Sequence, residues 1–527
     1  MKASDLLVAC LEREGVEHVF GVPGEEMEDL LFSLQDSAVT FVPVRHEQGA
    51  AFMADVHGRL TGEAGVCLAT LGPGATNLLT GVADAHLDKS PLVALTGQGG
   101  LERLHKESHQ ALDVVGTFEP VTKWNTQLSD PDIINESVRK AFKLAEYEKP
   151  GATHLELPED VAAEGTSVEP IPPREPTPFA APSAGSLDRV TELLREADRP
   201  LVIAGNGAVR TEAAAQLREL VDRTGMPVVS TYMGKGAVSD ADEHSLMTLD
   251  SGAHGEAADA IGDADLVITV GYDIAEHDPA DWSHDDDAAI VHVDSQPAEV
   301  YEAYDPDVEV VADLGQTLCD IADWCGASGV EFETDWYDDL REHIVADVDR
   351  EPDPEAPFAV RDVLPSLREA MAPDDVLISD VGSHKMAIAQ NFRTYEPNTC
   401  LISNGLASMG IAVPGGLAAD LASDAEVVAA TGDGGFLMNA AEIETATRLG
   451  CGYTIVVFND DDYGLISEKQ LDHTGESFGT GLTNPDLVAF AESFGIEGYR
   501  PESPTELRES FETAIDGGMS LIEVPVA

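Results

Sequence analysis

Two neighbouring stretches decide the fold: VVAATGDGGFLMNAAEIETATRLG at residues 427–450 and YTIVVFNDDDYG at residues 453–464. Each opens with an apolar run that predicts a buried strand, 427–431 in the first stretch and 453–458 in the second. The residues between these strands predict one helix of about twelve residues, with its apolar side chains on one face. The two stretches together therefore predict a strand–helix–strand unit.

The acidic residues of this unit follow its two strands directly. Because such a crossover is almost always right-handed, both strands end at the same edge of a parallel sheet, which brings Asp433 and Asp460 together. Two carboxylates beside a glycine-rich turn suit a Mg²⁺ ion that holds a diphosphate. The simpler alternative is that GDG is a tight turn and NDD a solvated loop, but their placement after adjacent strands favours the metal site.

The composition limits the classes of function. The chain has 527 residues, 43% of them hydrophobic, which is enough for about three domains. It has 98 Asp and Glu against 30 Lys and Arg, so its formal net charge is −68. A field of this sign repels nucleic acid and anionic membranes, and we expect neither as a partner. Because the acidic residues are dispersed through amphipathic segments, we interpret them as a folded surface suited to concentrated salt, and expect a halophilic source.

The cysteines and the first residues bear on location. Six cysteines are scattered without a CxxC pair, which is typical of reduced core residues in a cytoplasmic protein. The chain begins with a predicted helix and strand rather than a signal peptide, and no stretch is apolar enough to span a membrane. We therefore expect a cytoplasmic protein without a membrane partner.

Two proline-containing segments divide the chain. Residues 164–186 have little apolar pattern, and residues 350–357 repeat this composition in a shorter form. They separate three expected domains at 1–163, 187–345 and 356–527. Each domain holds four apolar runs that alternate with helical patterns. The expected fold class is therefore α/β, with three parallel-sheet domains.

The metal pattern resembles the GDG…NN signature of thiamine-diphosphate enzymes, with Asp460 where the second asparagine commonly stands. The resemblance implies that Mg²⁺ is held by the side chains of Asp433 and Asp460 and the main-chain carbonyl of Asp462. It implies that thiamine diphosphate binds against the glycines of the same turn, which are Gly432, Gly434 and Gly435. The family architecture places a pyrimidine-binding domain first, a central domain next and a diphosphate-binding domain last.

Glu47 lies in RHEQGAAFMADVHGRLTG at 45–62, where a strand gives way to a helix. A glutamate there is commonly a helix-terminal charge that the helix dipole favours. The segment nevertheless resembles the one that carries the activating glutamate of thiamine-diphosphate enzymes. The resemblance implies that Glu47 binds a ring nitrogen of the cofactor's aminopyrimidine and so promotes removal of the thiazolium proton.

Two further loops of the first domain match the family. LGPGATNL places Gly72 and Gly74 between a strand and a helix; such a turn ordinarily lets backbones pass closely, and in the family it approaches cofactor and substrate. HQALD holds Gln110, which matches the substrate-side glutamine of acetolactate-forming members, and Lys123 matches a family lysine near the active-site channel. The adjacent histidine pair of the pyruvate-decarboxylase branch is absent, which disfavours simple decarboxylation.

The last domain contributes two more segments. SDVGSH places Gly382, Ser383 and His384 after a strand, a position that suits phosphate binding. LASMG holds Met409. A methionine there is ordinarily core packing, but in the family a bulky apolar residue at this point wedges under the cofactor and bends it.

The resemblance covers nearly the whole chain and is strongest to acetolactate synthases, in particular their catabolic, flavin-free branch, for which GYDIAEHDP at 271–279 is a marker. GNGAV at 205–209 is only a fragment of a dinucleotide fingerprint, so we expect no FAD. The implied reaction decarboxylates pyruvate and ligates the product to a second pyruvate, giving 2-acetolactate and CO₂. The implied assembly is a homodimer or homotetramer with active sites between subunits, and the implied catalytic residues are Glu47, Gln110 and Met409.

Two alternatives stay open. A related thiamine-diphosphate 2-oxoacid decarboxylase or carboligase would keep the cofactor and use another acceptor. A nucleotide-binding or regulatory protein would keep only the fold. The presence of Glu47, Asp433 and Asp460 together argues against the second alternative.

Overall fold

The structure is a computed structural model that describes residues 1–174, 177–249, 255–283, 288–350, 357–515 and 517–527. Three six-stranded parallel sheets follow one another along the chain, each flanked by helices. This arrangement confirms the predicted fold class. Most of the second predicted linker, 351–356, lies outside the described residues.

The first domain begins with the predicted helix and strand. Its strands are β1 (His18–Gly21), β2 (Thr40–Pro43), β3 (Gly65–Ala69), β4 (Leu92–Gln98), β5 (Trp124–Gln127) and β6 (Ala152–Pro158). Its helices are α1 (Ala3–Glu14), α2 (Glu28–Gln35), α3 (Glu47–Thr61), α4 (Pro73–Leu87), α5 (Val114–Phe118), α6 (Ile134–Glu146) and α7 (Glu159–Ala163). The strand order is β2–β1–β3–β4–β6–β5.

The central domain has a different strand order. Its strands are β7 (Pro200–Ala204), β8 (Val228–Ser230), β9 (Ser245–Thr248), β10 (Leu266–Val270), β11 (Ala289–Asp294) and β12 (Val308–Val311). Its helices are α8 (Ala184–Glu196), α9 (Asn206–Arg210), α10 (Ala214–Thr224), α11 (Glu256–Asp263), α12 (Leu314–Ser328) and α13 (Asp335–Val348). The strands run in the order β12–β11–β10–β7–β8–β9, so the sheet extends in both directions from β7 and β10.

The last domain holds the two decisive stretches. Its strands are β13 (Val376–Ser379), β14 (Cys400–Ile402), β15 (Val427–Gly432), β16 (Thr454–Asn459), β17 (Glu497–Tyr499) and β18 (Ser520–Pro525). Its helices are α14 (Val360–Ala370), α15 (Ser383–Asn391), α16 (Ala412–Ala422), α17 (Asp433–Asn439), α18 (Glu442–Leu449), α19 (Gly464–Thr474), α20 (Leu487–Ser493) and α21 (Pro504–Ile515). The strand order, β14–β13–β15–β16–β18–β17, matches the pattern of the first sheet.

The first and last domains share one hydrophobic core. Helix α3 packs against α16, and the cluster extends from Phe52 on α3 through Val413 and Leu417 on α16 to Tyr453 beside the last sheet. Burial of apolar surface of this kind is the main stabilising contribution to folding. The shared core therefore fixes the two domains that carry the expected site residues against each other.

The sequence pattern predicts four strands in each domain, and the structure has six. Five of the additional strands, β5, β9, β12, β14 and β17, are edge strands of their sheets. An edge strand pairs on one side only and tolerates short, mixed sequences, which weakens its pattern. The sixth, β6, is internal, but its buried His154 and Glu156 interrupt the apolar run.

The prediction of a single helix between β15 and β16 is wrong: the segment forms two helices, α17 and α18. Asn439, the last residue of α17, donates its side-chain amide to the main-chain carbonyl of Gly410 at 2.8 Å. This contact fixes the end of α17 to a neighbouring loop, and α18 begins after Ala440 and Ala441.

Two helices also pass the expected domain boundaries. Helix α8 starts inside the first predicted linker because Ser183 caps it, accepting a hydrogen bond from the main chain of Ser186. Helix α13 continues to Val348, beyond the expected end at 345.

All six cysteines are free, and five of them are buried. Within the described ranges, none of the helices combines the length and apolar character that a membrane crossing needs.

Candidate active site

The parallel pairing of β15 with β16 brings the two acidic turns to one sheet edge. Gly432, at the end of β15, lies opposite Phe458, and Asp433 and Asp460 come directly after these strands. Asp433 is buried and accepts a hydrogen bond of 2.5 Å from the side chain of Asn484. Burial, together with the neighbouring Asp460, raises the pKa of Asp433 to about 6. The structure thus places two carboxyl groups next to each other, as the sequence predicted.

Asp462 presents its side chain and its main chain to different partners. Its carboxylate accepts a hydrogen bond from the hydroxyl of Ser467, and its main-chain N–H donates to Asp460 Oδ1 at 3.1 Å. The other carboxylate oxygen, Oδ1, is buried and has no hydrogen-bond partner in the described part of the chain.

A metal at this edge would have few protein ligands. The described residues contain no group of three or more His, Cys, Asp or Glu side chains arranged to hold a metal ion. Two carboxylates with one main-chain carbonyl are a hard-oxygen set that leaves positions open for phosphate oxygens and water, and Mg²⁺ typically binds in this way. The donor chemistry therefore fits Mg²⁺ bound together with a diphosphate.

Glycines keep the space between these turns open. A Cβ on Gly464 would lie 2.6 Å from Asp460 Oδ2 and 3.3 Å from the hydroxyl of Ser383. A Cβ on Gly432 would lie 3.1 Å from His384 Nδ1, and one on Gly434 would lie 2.7 Å from the ring of Tyr463. Side chains at these positions would fill the cradle, so the turns fit a bound diphosphate.

His384 forms the floor of this cradle. Its ring is buried and stacks on Phe458 with the centroids 6.0 Å apart. Burial lowers the pKa of His384 to about 4, so the imidazole is neutral at physiological pH. Its Nε2 atom is buried and has no hydrogen-bond partner within the described part of the chain. A buried polar atom of this kind calls for a partner, and a cofactor phosphate would supply one.

Met409 is fixed to the same sheet edge through its neighbour. The buried carboxyl group of Asp380 accepts a hydrogen bond of 2.8 Å from the main-chain N–H of Gly410. The Gly410 carbonyl accepts from Asn439 on α17. Met409 itself is half-buried.

Glu47 lies in a second group of residues, in the first domain. It is the first residue of α3 and is buried, and His46 caps the helix by accepting a hydrogen bond from the main chain of Gln48 at 3.1 Å. Asn77 donates its amide to Glu47 Oε2 at 2.9 Å. Oε1 faces Gly74, where an added Cβ would lie 3.3 Å away.

Gly72 and Gln110 complete this second group. Gly72 has φ +54°, and a Cβ there would lie 2.7 Å from the main-chain carbonyl of Gln110. Gln110 also adopts a left-handed conformation, with φ +54°, and its side chain is exposed. Lys123 lies apart from this group and donates to the carbonyls of Tyr147 and Lys149, at 2.7 and 2.6 Å.

Within the described ranges, no hydrogen bond joins the two groups of site residues, because none connects Glu47 to Asp433, Asp460 or Asp462. The domains are joined instead beside Glu47, because buried Glu442 accepts hydrogen bonds from the main chain of Arg45 and His46, both at 3.0 Å.

Four residues that hold the site residues or their neighbours in place are not predicted by the sequence. They are Asn77, Asp380, Glu442 and Asn484. Asn77, Asp380 and Glu442 stand inside motifs that were singled out, but a polar residue in a motif gives no sign of its partner. Asn484 lies in a loop without any recognisable signal.

Family models match all three domains. The model of the thiamine pyrophosphate enzyme N-terminal TPP binding domain matches residues 1–117, that of the central domain residues 187–321, and that of the C-terminal TPP binding domain residues 380–524. The matches therefore fall in each of the three domains, and β5, β6 and β13 lie outside the matched residues.

Several relatives align with nearly the whole chain. The chain is 34% identical over 538 residues to an acetolactate synthase of Bacillus subtilis, covering 100% of this chain and 93% of the relative. It is 34% identical to a probable acetolactate synthase large subunit of Methanocaldococcus jannaschii, covering 98% of this chain and 90% of the relative. It is 32% identical to a catabolic acetolactate synthase of Raoultella terrigena, covering 99% of this chain and 94% of the relative. The chain belongs to the thiamine pyrophosphate enzyme family, in the group of acetolactate synthases.

Proposed function

We propose that the protein decarboxylates one pyruvate and joins the remaining two-carbon unit to a second pyruvate, giving 2-acetolactate and CO₂. The observation that carries the proposal is the pair of carboxyl groups, Asp433 and Asp460, at one sheet edge of a chain whose full-length relatives are acetolactate synthases. A related decarboxylase or carboligase is the second candidate, since it would use the same cofactor site.

The last domain would hold the cofactor's diphosphate. Asp433, Asp460 and the carbonyl of Asp462 would bind Mg²⁺, and the cradle of glycines would admit the phosphates. The Ser383 hydroxyl can donate to a phosphate oxygen, and His384 can donate from Nε2 if the proton is on that atom. When bound, thiamine diphosphate supplies a nucleophilic carbon and an electron sink for decarboxylation.

Glu47 would exchange a proton with the cofactor's aminopyrimidine through Oε1. Asn77 holds Oε2 and so fixes the orientation of the carboxyl group. Gly74 leaves space beside Oε1 because it lacks a Cβ. Met409 would bend the cofactor towards this carboxyl group, and Gln110 would contact substrate from the loop beside Gly72.

We propose that the site is assembled between two subunits of a homodimer or homotetramer. No hydrogen bond joins Glu47 to the carboxyl pair in the described part of one chain, and the last domain of a second copy would complete the site. Two apolar side chains of α17 beside the metal turn are exposed, Leu437 by 41% and Met438 by 47%. A partner subunit would remove this apolar surface from water.

Product identification tests the proposed function directly. Incubation with pyruvate, thiamine diphosphate and Mg²⁺ in concentrated KCl should release CO₂ and give 2-acetolactate as the main product. Acetaldehyde as the main product would favour the decarboxylase, and CO₂ release without either product would favour another carboligase. Failure to bind thiamine diphosphate would contradict both candidate functions.

We predict that pyruvate is preferred to 2-oxobutyrate as the acceptor. The flavin-containing branch carries a tryptophan after the metal loop that favours the larger oxoacid, and Lys469 with Gln470 stands there in this chain. Lys469 is exposed, and Gln470 accepts a hydrogen bond from the main chain of Phe478. An extra methylene in an apolar pocket is worth about 1–3 kcal/mol, so losing the aromatic contact should weaken the preference for 2-oxobutyrate. Competition between equal amounts of both acids, with both products quantified, tests this; an excess of 2-aceto-2-hydroxybutyrate would refute it.

We predict that FAD neither co-purifies nor raises activity. The central domain carries GYDIAEHDP and lacks a full dinucleotide fingerprint. The absorbance spectrum of the purified protein and activity with and without added FAD are the measurements. A yellow protein with stoichiometric FAD, inactive once the FAD is removed, would contradict this prediction.

We predict that stability rises with salt to molar concentration, as for a halophilic cytoplasmic enzyme. At a net charge of −68 the folded chain repels itself. Salt shortens the range of this repulsion from about 10 Å at 0.1 M to about 3 Å at 1 M. Thermal unfolding in a KCl series is the test, and a Tm that stays flat or falls would show that the acidic surface has another cause.

A further inference from the structure

The central sheet has the strand arrangement of a nucleotide-binding domain. From β7 the chain proceeds to β8 and β9 on one side, and then returns to β10, β11 and β12 on the other. In an open parallel sheet, ligands bind in the crevice at the carboxyl ends of the two strands where the order reverses. Here that crevice lies between the turn after β7, at 205–207, and the turn after β10, which begins at Gly271.

The two turns are in direct backbone contact. The main-chain N–H of Gly207 donates to the carbonyl of Gly271 at 2.8 Å. A Cβ on Gly205 would lie 2.5 Å from the same carbonyl, and one on Gly207 would lie 2.5 Å from Gly271 Cα. The base of the crevice is therefore filled by backbone.

The carboxyl group of Glu276 fills the mouth of the crevice. It accepts hydrogen bonds from the main-chain N–H of Asn206 at 3.0 and 3.2 Å and from the hydroxyl of Thr231. The main-chain N–H of Asp273 approaches it at 3.4 Å. These donors follow the ends of three strands, β7, β8 and β10, where donors that converge in this way commonly receive a ligand anion.

Glu276 is buried, and hydrogen bonds hold its segment against neighbouring domains. The residue is only 6% exposed, and burial together with Asp273 raises the pKa of its carboxyl group to about 8. The amide of Asn404 donates to the carbonyls of Ala275 and Glu276, at 3.2 and 3.1 Å. The amide of Asn206 donates to the carbonyl of Asp88 at 3.2 Å. Asn206, Ala275 and Glu276 therefore connect the central domain to both other domains. Asn404 belongs to the loop that leads to Met409.

We propose that Glu276 is an internal ligand: its carboxyl group occupies the position that an anionic group of a bound nucleotide would take in the central sheet, and so excludes FAD, ADP and related nucleotides. This inference rests on the proposed flavin-free function and gives it a specificity-determining residue. It also gives the donors at this sheet edge a role without a nucleotide, because the carboxyl group of Glu276 accepts the hydrogen bonds that a nucleotide would otherwise accept.

The test compares wild type, Glu276→Ala and Glu276→Gln, all saturated with thiamine diphosphate and Mg²⁺ so that the catalytic diphosphate site is occupied. Equilibrium dialysis should detect no binding of ADP or FAD to wild type at millimolar concentration. Glu276→Ala should melt at a lower temperature and regain about 1 °C or more when inorganic phosphate or ADP exceeds its Kd tenfold, at constant ionic strength. Glu276→Gln keeps the side-chain shape and one acceptor oxygen, so phosphate and ADP should leave its Tm unchanged.

Binding of ADP or FAD by wild type would overturn the proposal. An unchanged Tm of Glu276→Ala in phosphate and ADP would do so as well, since the vacated position would then not receive an anion. If Glu276→Ala does not fold, Glu276→Ser takes its place under the same criteria. None of these measurements uses turnover. If wild type excluded ADP but formed no acetolactate, the proposed function would be refuted and the role of Glu276 would stand.

Discussion

Replacing Glu47 with glutamine is expected to lower kcat by about 10²–10⁴-fold or more, with the fold and most cofactor affinity retained. The new amide oxygen can still accept the hydrogen bond that Asn77 donates at 2.9 Å, so the packing at the start of α3 is preserved. A glutamine cannot give or take a proton at the position of Oε1, which is the role proposed for this carboxyl group. The measurements are steady-state acetolactate formation and calorimetric titration with thiamine diphosphate.

Glu63→Gln is the matched control for this experiment. Glu63 is exposed and follows the other end of α3, and the substitution changes the net charge by the same amount. We expect its turnover and Tm to equal those of wild type. Near-normal turnover of Glu47→Gln would remove Glu47 from the proposed chemistry, whereas loss of cofactor binding together with Tm would indicate a structural role.

The sequence was most informative where function and local structure coincide. Asp433 and Asp460 could be paired from the sequence because each follows a long apolar strand, and parallel strands next to each other end at one edge. Five of the six edge strands, all but β2, lack a clear signal for the opposite reason, since their short mixed sequences carry little hydrophobic period. The three-domain α/β fold was therefore predictable from four strongly apolar strands in each domain.

Long-range polar contacts could not be predicted. Glu442 lies within the stretch that decided the fold, yet nothing in its neighbours indicates that it accepts from the main chain of Arg45 and His46 in another domain. Asn484 donates to Asp433 from a loop that follows α19, and its segment has no motif. Such contacts depend on how whole elements pack, because hydrogen-bond partners are fixed only when the chain has folded. The roles of the individual site residues accordingly stay predictions, whereas the family is established.

Replacing Asp433 with alanine is expected to abolish the Mg²⁺-dependent part of thiamine-diphosphate binding. The side chain is buried at the sheet edge beside Asp460, and it is one of only two carboxylates in the proposed ligand set. Removing an outer-shell partner of a metal ligand already costs roughly 10–100-fold in metal affinity, so losing a ligand should cost at least as much. Calorimetric titrations with thiamine diphosphate, with and without Mg²⁺, measure the effect without requiring turnover.

Two variants separate the metal-binding role of Asp433 from its other contacts. Asp433→Asn keeps an oxygen that can accept from Asn484 but loses the negative charge, so it should retain the wild-type Tm and still lose the response to Mg²⁺. Asp374→Ala removes an exposed carboxylate from the same domain and should behave as wild type in the same salt. If Asp433→Ala and Asp433→Asn both kept the wild-type affinity and Mg²⁺ dependence, the GDG segment would be a turn that merely connects β15 to α17. The proposed function would then lose the observation that carries it, because Asp460 alone does not make a divalent-metal site.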